Sequence, residues 1–155
     1  MSTDLLVAQL LDAAPDSTGA PIGALHRLLD DSAIDESDPA KSIAEAAALV
    51  GLSPTTLRYY ERQQLVRPAR NAAGHREYSA LDLRRLVFIA RMRLSGMSMQ
   101  ELTRYIALVD DGHTTQQERQ QIMSAQRDRI LHRIRELTLA LEVTEYKIRT
   151  YGAPE

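Results

Sequence analysis

The C-terminal third of the chain carries the pattern that most restricts its fold, an apolar seam with alternating spacings of three and four residues. Such a seam, sustained here over about four heptads, is typical of a helix that packs lengthwise against another helix. It is interrupted only at Arg127. A second copy of the chain is the favoured partner, because most soluble oligomers are symmetric homo-oligomers, and a helix of the same chain is the alternative. The predicted dimerisation seam consists of Met123, Ile130, Ile134, Leu137, Leu141, Thr144, Ile148 and Tyr151.

The composition argues against several classes of protein. The 155 residues include no cysteine, so disulfides and thiolate metal sites are excluded, and the four histidines lie at no metal-ligand spacing. There is no nucleophile–base pattern and no phosphate-binding loop, so we expect no enzyme, no cofactor and no metal site. No apolar run approaches the length of a membrane span, and the N-terminus lacks the pattern of a signal peptide. We therefore expect no membrane contact and a cytoplasmic location.

The charge is unevenly distributed, although the net charge is only −2. Residues 1–40 contain eight acids and one base, whereas residues 41–155 contain thirteen acids and eighteen bases. The excess of bases is concentrated in residues 41–85, with eight bases against four acids. A localised basic surface is typical of a polyanion binder, but solvated basic faces also occur in proteins that bind no nucleic acid.

Capping patterns and apolar spacing together predict a mainly α-helical chain. A Ser or Thr followed three residues later by an acid begins at Ser42, Ser79, Ser98 and Thr115, and Ser53 is followed by Pro54, which favours a helix start. Apolar residues recur at helical spacing after two of these starts. They are Leu83, Leu86, Val87, Ala90 and Leu94 in one segment, and Leu102, Tyr105, Ile106 and Val109 in the next.

The segment SIAEAAALVGLSPTTLRYYERQQ is typical of a helix–turn–helix motif, with Gly51 in the turn. In such a motif the second helix enters the major groove, and its first residues reach the bases. These residues include Thr55, Thr56 and Arg58, and Arg is the usual bidentate reader of guanine. We expect at most one of Leu57 and Tyr60 to be fully buried, with the Tyr60 hydroxyl directed to a phosphate.

The following segment, RPARNAAGHREYS, predicts a short two-stranded hairpin that turns near residues 73–74. Its Arg67, Arg70, Arg76 and Tyr78 would project from a small wing beside the second helix, where cations and hydroxyls suit contacts to phosphates. For Tyr78 a hydrophobic plug at the base of the wing is an equal alternative.

Several motifs in this region resemble the DNA-binding domain of MerR-type transcriptional regulators. They are TLRYYE, LVRPAR, GHREY, DLRRL and GMSMQE, and the resemblance extends over about residues 41–109. It implies a winged helix–turn–helix fold followed by a long helix that forms an antiparallel coiled coil in a homodimer. It also implies binding to an inverted repeat in a promoter, with distortion of the duplex and action alongside RNA polymerase. Its contact positions correspond to Thr55, Thr56, Arg58 and Tyr60 in the helix, and to Arg76 and Tyr78 in the wing.

Two residues depart from the pattern of that family. His75 stands where the family usually has Tyr, and Gln64 stands where it usually has Gly. His75 can still donate to a phosphate, and a nearby polyanion favours its protonated form, which predicts a pH-sensitive DNA affinity. Gln64 is expected to make the turn after the helix less favourable while leaving the fold intact.

The sequence thus predicts three regions: an acidic N-terminal extension (1–40), a winged helix–turn–helix domain (41–110) and a dimerisation helix (111–155). The predicted function is sequence-specific regulation of transcription. A helical interaction adaptor and an architectural DNA-binding factor remain alternatives. Residues 1–40 contain two amphipathic patterns, so the extension is either partly disordered or a helical appendage, and its charge could compete with DNA. The operator, the sign of regulation and any small-molecule effector do not follow from the sequence.

Overall fold

The computed structural model describes residues 37 and 39–152, so the predicted helices of the N-terminal extension lie outside the described residues. Two compact units divide between Leu94 and Ser95. The first unit contains α1 (Ile43–Val50), α2 (Pro54–Arg62), β1 (Ala69–Arg70), β2 (Arg76–Glu77) and α3 (Ala80–Leu94). The second contains α4 (Met99–Asp110), a 3-10 turn (His113–Thr115) and α5 (Gln116–Gly152). The prediction of a mainly helical chain with one small hairpin is confirmed.

The helix–turn–helix is defined by its caps. The Ser42 hydroxyl accepts from the amide of Glu45, whose carboxylate accepts in return from the Ser42 amide, and these bonds lower the pKa of Glu45. Gly51 ends α1 with a φ of 71°, a left-handed conformation that costs glycine little. The Ser53 hydroxyl then caps α2 by accepting from the Thr56 amide. The predicted starts of both helices are therefore confirmed.

Leu57 and Tyr60 both lie in the core, and of the two only Leu57 is fully buried, in agreement with the expectation that at most one would be. Leu57 is 0% exposed and Tyr60 is 6% exposed. Residues three apart share a face of an α-helix, so both side chains can enter the same core. Side chains from every helix of the first unit meet there. This core consists of Ala46, Ala47, Val50, Leu57, Tyr60, Leu65, Val66, Tyr78, Leu83, Leu86 and Ile89.

The wing is an antiparallel hairpin in which Ala69 pairs with Glu77 and Arg70 with Arg76. Asn71 organises its turn, since its Oδ1 accepts from the amides of Ala73 and His75, each at 3.0 Å. The hairpin and its turn near residues 73–74 are as predicted. An additional backbone pairing joins Lys41, two positions before α1, to Tyr78 at the base of the wing.

In the second unit a polar network fixes the first turns of α5 against α4. Gln126, only 2% exposed, donates from Nε2 to the Ser95 carbonyl, and its Oε1 accepts from Arg129. Arg129 also pairs with Glu101 at 2.8 Å. Burial alone would raise the pKa of Glu101, but hydrogen bonds from Ser98 and Arg129 lower it. The predicted capping box at Ser98 is confirmed.

The predicted capping box at Thr115 is wrong. The Thr115 hydroxyl lies within hydrogen-bonding distance of the carbonyls of Leu108 and Gly112, so it closes the turn that joins α4 to α5. Glu118, its expected capping partner, instead pairs with Arg104 at 3.6 Å. Because α4 and the start of α5 pack together, the compact units divide before α4, earlier than the predicted boundary at residues 110–111.

Helix α5 has 37 residues and is therefore about 55 Å long. Met123 and Ile130 of the predicted seam are half-buried, whereas every residue from 131 to 152 is exposed. Ile134, Leu137, Leu141 and Ile148 are each 52–64% exposed. None of the helices in residues 39–152 combines the length and apolar composition that crossing a membrane requires.

Candidate nucleic-acid interface

A cleft between α1, α2 and the wing brings four of the predicted contact residues together. The capped start of α1, the exposed side of α2 and the turn of the hairpin form its walls. Arg58 contributes from α2, while Arg70, His75 and Arg76 contribute from the wing. Residues far apart in the sequence thus form one concave basic surface. Its lining residues are Ser42, Ile43, Arg58, Arg70, Gly74, His75 and Arg76.

Glu61 holds the wing against the second helix, a role that the sequence analysis missed. Its carboxylate forms a close ion pair with Nε of Arg76 and lies 3.8 Å from a guanidinium nitrogen of Arg70. Arg70 also donates to the Gly74 carbonyl at 3.0 Å, which braces the turn. Glu61 is the acid of the motif TLRYYE. An unpaired carboxylate is unfavourable on a surface that binds a polyanion, so an acid among these basic residues indicates that it pairs with a cation.

The two wing arginines consequently differ in what they offer a ligand. The Arg70 side chain is 51% exposed, whereas Arg76 is 25% exposed and engaged with Glu61. Arg70 is therefore suited to an exposed phosphate contact. Arg76 is better suited to holding the wing in place while presenting one edge of its guanidinium group to the cleft.

The predicted DNA contacts of Tyr60 and Tyr78 are not supported by the structure. Tyr78 is 0% exposed and its hydroxyl has no hydrogen-bond partner among the residues that the structure describes, while Tyr60 is 6% exposed. Burial raises the pKa of both phenols, and the neighbouring Glu61 raises that of Tyr78 further. Both side chains belong to the core of the first unit. Of the two interpretations of Tyr78, the structure thus favours the plug at the base of the wing.

The remaining predicted contacts lie at the start of α2. Thr55 is exposed, but Thr56 is half-buried and its hydroxyl lies 2.9 Å from that of Ser53, within the helix cap. Thr55 is therefore better placed than Thr56 to reach a base. Further along α2, Arg62 lies over the ring of Tyr59, 5.9 Å from its centroid, and both side chains are exposed. Arg62 was not among the predicted contacts.

The part of the chain that the structure describes contains no group of three His, Cys, Asp or Glu side chains arranged to bind a metal ion. His113 is exposed beside the turn that joins α4 to α5, and His132 lies 3.4 Å from Glu136 on the surface of α5. Neither histidine belongs to the basic cleft.

Known protein families match both the basic surface and the helices that follow it. Residues 41–109 match the family model described as MerR HTH family regulatory protein, and residues 83–143 match one described as MerR, DNA binding. The transcriptional regulator HmrR of Rhizobium leguminosarum bv. viciae is 35% identical over 107 residues, which are 69% of this chain and 83% of HmrR. The chain belongs to the MerR family.

Other MerR-family proteins are similar over the same region. The regulator ZntR of Escherichia coli K12 is 35% identical over 61% of this chain and 69% of its own. Among solved structures, a MerR-family regulator from Listeria monocytogenes has a TM-score of 0.68 and 37% identity, over 72% of this chain and 85% of its own. HiNmlR, described as lacking the sensor domain and bound to promoter DNA, has a TM-score of 0.68 and 29% identity. It is matched over 72% of this chain and 90% of its own.

These matches decide the general function of the chain. Both family models and the similar proteins are regulators of transcription, so the chain is a DNA-binding transcription regulator of the MerR family and not an enzyme. The family resemblance that the motifs predicted is confirmed.

Proposed function

We propose that this MerR-family protein binds an inverted-repeat promoter site as a homodimer and distorts the duplex to activate or repress transcription. The observation that carries the proposal is the convergence of Arg58, Arg70, His75 and Arg76 on one cleft beside the second helix of the helix–turn–helix. Arginines that only solvate a protein surface are not expected to lie together in one cleft. We place the protein in the cytoplasm, where the chromosome of a bacterium is accessible.

The cleft suggests a division of labour among its side chains. Arg58 projects from α2, the helix that enters the major groove in this motif, and it is exposed, so we assign it to base recognition together with Thr55. Arg70 and His75 are exposed on the wing and are assigned to phosphates of the duplex backbone. Arg76 is assigned mainly to orienting the wing through Glu61.

The dimer is supported by the apolar seam of α5. Its apolar residues Ile134, Leu137, Leu141 and Ile148 are more than half exposed in the single chain, and a matching helix from a second copy would cover them. Two copies would present two second helices to the duplex. A symmetric dimer reads two half-sites separated by about one helical turn or a multiple of it, which explains the expected inverted repeat. HiNmlR, crystallised on promoter DNA, supports the same mode of action, and contact with RNA polymerase would follow at the promoter.

Two arginine variants test the division of labour. Arg58→Ala should weaken binding to the selected operator by about 10- to 100-fold and leave binding to random duplex nearly unchanged, because it removes base recognition. Arg70→Ala should weaken both alike and reduce the slope of log affinity against log salt by about one, because it removes one phosphate contact. Fluorescence anisotropy with labelled duplexes over a salt series measures both effects.

Arg133→Ala is the matched control for these variants. Arg133 lies on α5, its side chain is 70% exposed, and it is distant in sequence from the cleft residues. Its removal should change neither the specificity nor the salt slope. An equal loss on operator and random duplex for Arg58→Ala would contradict the assignment of base recognition to this residue.

A further inference from the structure

The solvent-facing side of α2 extends beyond the residues that the proposed function uses. Thr55, Arg58, Tyr59 and Arg62 recur at spacings of three and four residues, so they lie on one face of the helix. All four are exposed, and the buried residues of α2 lie on the opposite face. Thr55 and Arg58 are assigned to base recognition, whereas Tyr59 and Arg62, in the last turn, are not assigned to any contact.

The Tyr59 ring fixes the position of the Arg62 side chain. The guanidinium carbon of Arg62 lies 5.9 Å from the centroid of this ring, within the range of a cation–π interaction. The Tyr59 ring in turn lies 6.0 Å from the ring of Tyr60, at an interplanar angle of 43°, and Tyr60 belongs to the core. An aromatic pair thus supports the cation from the core outward, which reduces the conformational entropy that Arg62 loses when it binds a ligand.

Arg62 differs from the wing arginines because it has no acidic partner. Arg70 and Arg76 share the carboxylate of Glu61, whereas no carboxylate in the described part of the chain pairs with Arg62. The face of the Tyr59 ring attracts the cation without neutralising its charge. Arg62 therefore presents a full positive charge and its guanidinium N–H donors to an anion.

The place of Arg62 along α2 favours a phosphate over a base. In this motif the first residues of the second helix reach the base edges. Arg62 is four residues beyond Arg58, which is about 6 Å further along the helix axis. A long side chain at that end of the helix lies nearer to the phosphates that border the major groove than to the bases on its floor.

We propose that Arg62 binds a phosphate of the duplex at the rim of the major groove and that Tyr59 is its positioning residue. This inference rests on the proposed function, because it assumes that α2 enters the groove. Arg62 contributes to the affinity for any duplex and carries no base preference, in contrast to Arg58. Tyr59 acts through Arg62, because its ring holds the guanidinium group in place and its hydroxyl takes no part.

Arg62→Gln tests the phosphate contact. It should weaken binding to operator and random duplex alike, by about fivefold for each bound subunit, and reduce the slope of log affinity against log salt by about one for each subunit. Fluorescence anisotropy over a salt series measures both effects.

Lys147→Gln is the matched control for Arg62→Gln. The Lys147 ammonium lies 6.0 Å from the centroid of the Tyr151 ring, so the substitution removes the same charge from the same kind of pair on α5. It should change neither the affinity nor the salt slope. Equal effects of the two substitutions would overturn the proposal, because the loss would then reflect net charge and not a contact of Arg62.

Two variants of Tyr59 test its positioning role. Tyr59→Phe keeps the ring and should bind as the unaltered chain does, whereas Tyr59→Leu should bind about two- to threefold more weakly with an unchanged salt slope. In the double variant with Arg62→Gln, Tyr59→Leu should add no further loss, since Tyr59 acts only through Arg62. Additive losses, or an equal loss in Tyr59→Phe, would show that Tyr59 contacts the duplex itself and would overturn the positioning role.

The unaltered protein and Arg62→Gln together separate this inference from the proposed function. If the unaltered protein binds the operator and Arg62→Gln changes neither affinity nor slope, the phosphate contact is wrong and the proposed function stands. If the loss in Arg62→Gln is confined to the operator, Arg62 reads bases and the phosphate contact is again wrong. If the unaltered protein binds no duplex at low salt, both the proposed function and this inference fail.

Discussion

Gln64 occupies a backbone conformation that ordinarily belongs to glycine. Its φ is 58°, the one positive value outside glycine among the described residues, and the Leu65 amide donates back to the Tyr60 carbonyl as in a Schellman motif. The family pattern places Gly here, so a less favourable turn was predicted for Gln64. A residue with a Cβ costs about 1–2 kcal/mol in this left-handed region. Gln64 therefore carries a backbone strain that Gly would not have.

Gln64→Gly should therefore stabilise the protein. We expect the free energy of unfolding to rise by about 0.5–1 kcal/mol, because relief of the backbone strain exceeds the entropy that glycine adds to the unfolded chain. Urea denaturation followed by circular dichroism at a fixed protein concentration measures the change. Gln63→Gly is the control, since Gln63 has a φ of −81° and should gain nothing from glycine. A loss of stability in Gln64→Gly would show that the strain is absent.

The tyrosines show what residue types alone leave undecided. A tyrosine in a basic segment can donate to a phosphate or fill a core, and only the direction of its side chain decides between the two. For Tyr78 that direction goes with the backbone pairing to Lys41, a residue that lies outside the hairpin segment. The arginines were easier to predict, because a guanidinium group without a buried partner stays near the surface whatever the fold.

At the scale of elements, Glu61 couples the second helix to the wing. Glu61→Gln should keep its shape while releasing Arg76 and Arg70 from their shared carboxylate. A freer wing with one negative charge fewer should bind random duplex as well as before or better, whereas discrimination between operator and random duplex should fall about tenfold. Competition binding with both duplexes measures that ratio.

Glu77→Gln is the matched control for this prediction. Glu77 lies in β2 next to Arg76, and its neutralisation removes the same charge from the protein without touching the Glu61 pairs. Discrimination should be retained in this variant. A tenfold loss in both variants would show that the charge of the wing matters and its attachment to α2 does not.

The cap of α4 makes a pH-dependent contribution to stability. The pKa of Glu101 is lowered in the folded protein, so its contribution is present above the unfolded pKa of about 4.5 and is lost as the pH falls through the lower folded value. Glu101→Gln should thus reduce the free energy of unfolding at pH 7 by about 0.5 kcal/mol, a small value because a third of the side chain is exposed. At pH 3 the variant and the unaltered protein should unfold alike.

Thermal unfolding at pH 7 and pH 3 measures the effect of Glu101→Gln. Glu142→Gln is the control, because Glu142 is exposed on α5 and its neutralisation removes the same charge without touching the cap of α4. A difference that persists at pH 3 would mean that the carboxylate charge is not the cause.

Helix starts were the most predictable elements, because a capping box depends on residues only three positions apart. Ser42, Ser53 and Ser98 form the predicted caps. Thr115 fails because the carbonyl of Leu108, seven residues earlier, competes for its hydroxyl. Local spacing thus predicts a cap only where no tertiary acceptor is nearby. Leu94 fits the periodicity of α3 but is 80% exposed at the last position of that helix, so periodicity alone does not predict burial there.

At the scale of the whole molecule, the seam of α5 was predicted from periodicity, but the single chain leaves it uncovered. Leu141 lies on the seam and is 57% exposed, whereas Leu139 lies on the opposite face of α5 and is 64% exposed. The two leucines are thus nearly equal in exposure, in chemistry and in distance along the helix. Only the proposed dimer distinguishes them.

Leu141→Asp should convert the protein to a monomer at micromolar concentration, because it would bury an unpaired carboxylate in the coiled coil. Leu139→Asp should remain dimeric, since its side chain faces solvent in either state. Sedimentation velocity measures the oligomeric state, and anisotropy with the operator should show at least a 100-fold loss of affinity for Leu141→Asp alone, because one half-site is then bound without its partner. Should both variants stay dimeric, the seam is not the interface; should both dissociate, the helix pairs through a different face or more than one.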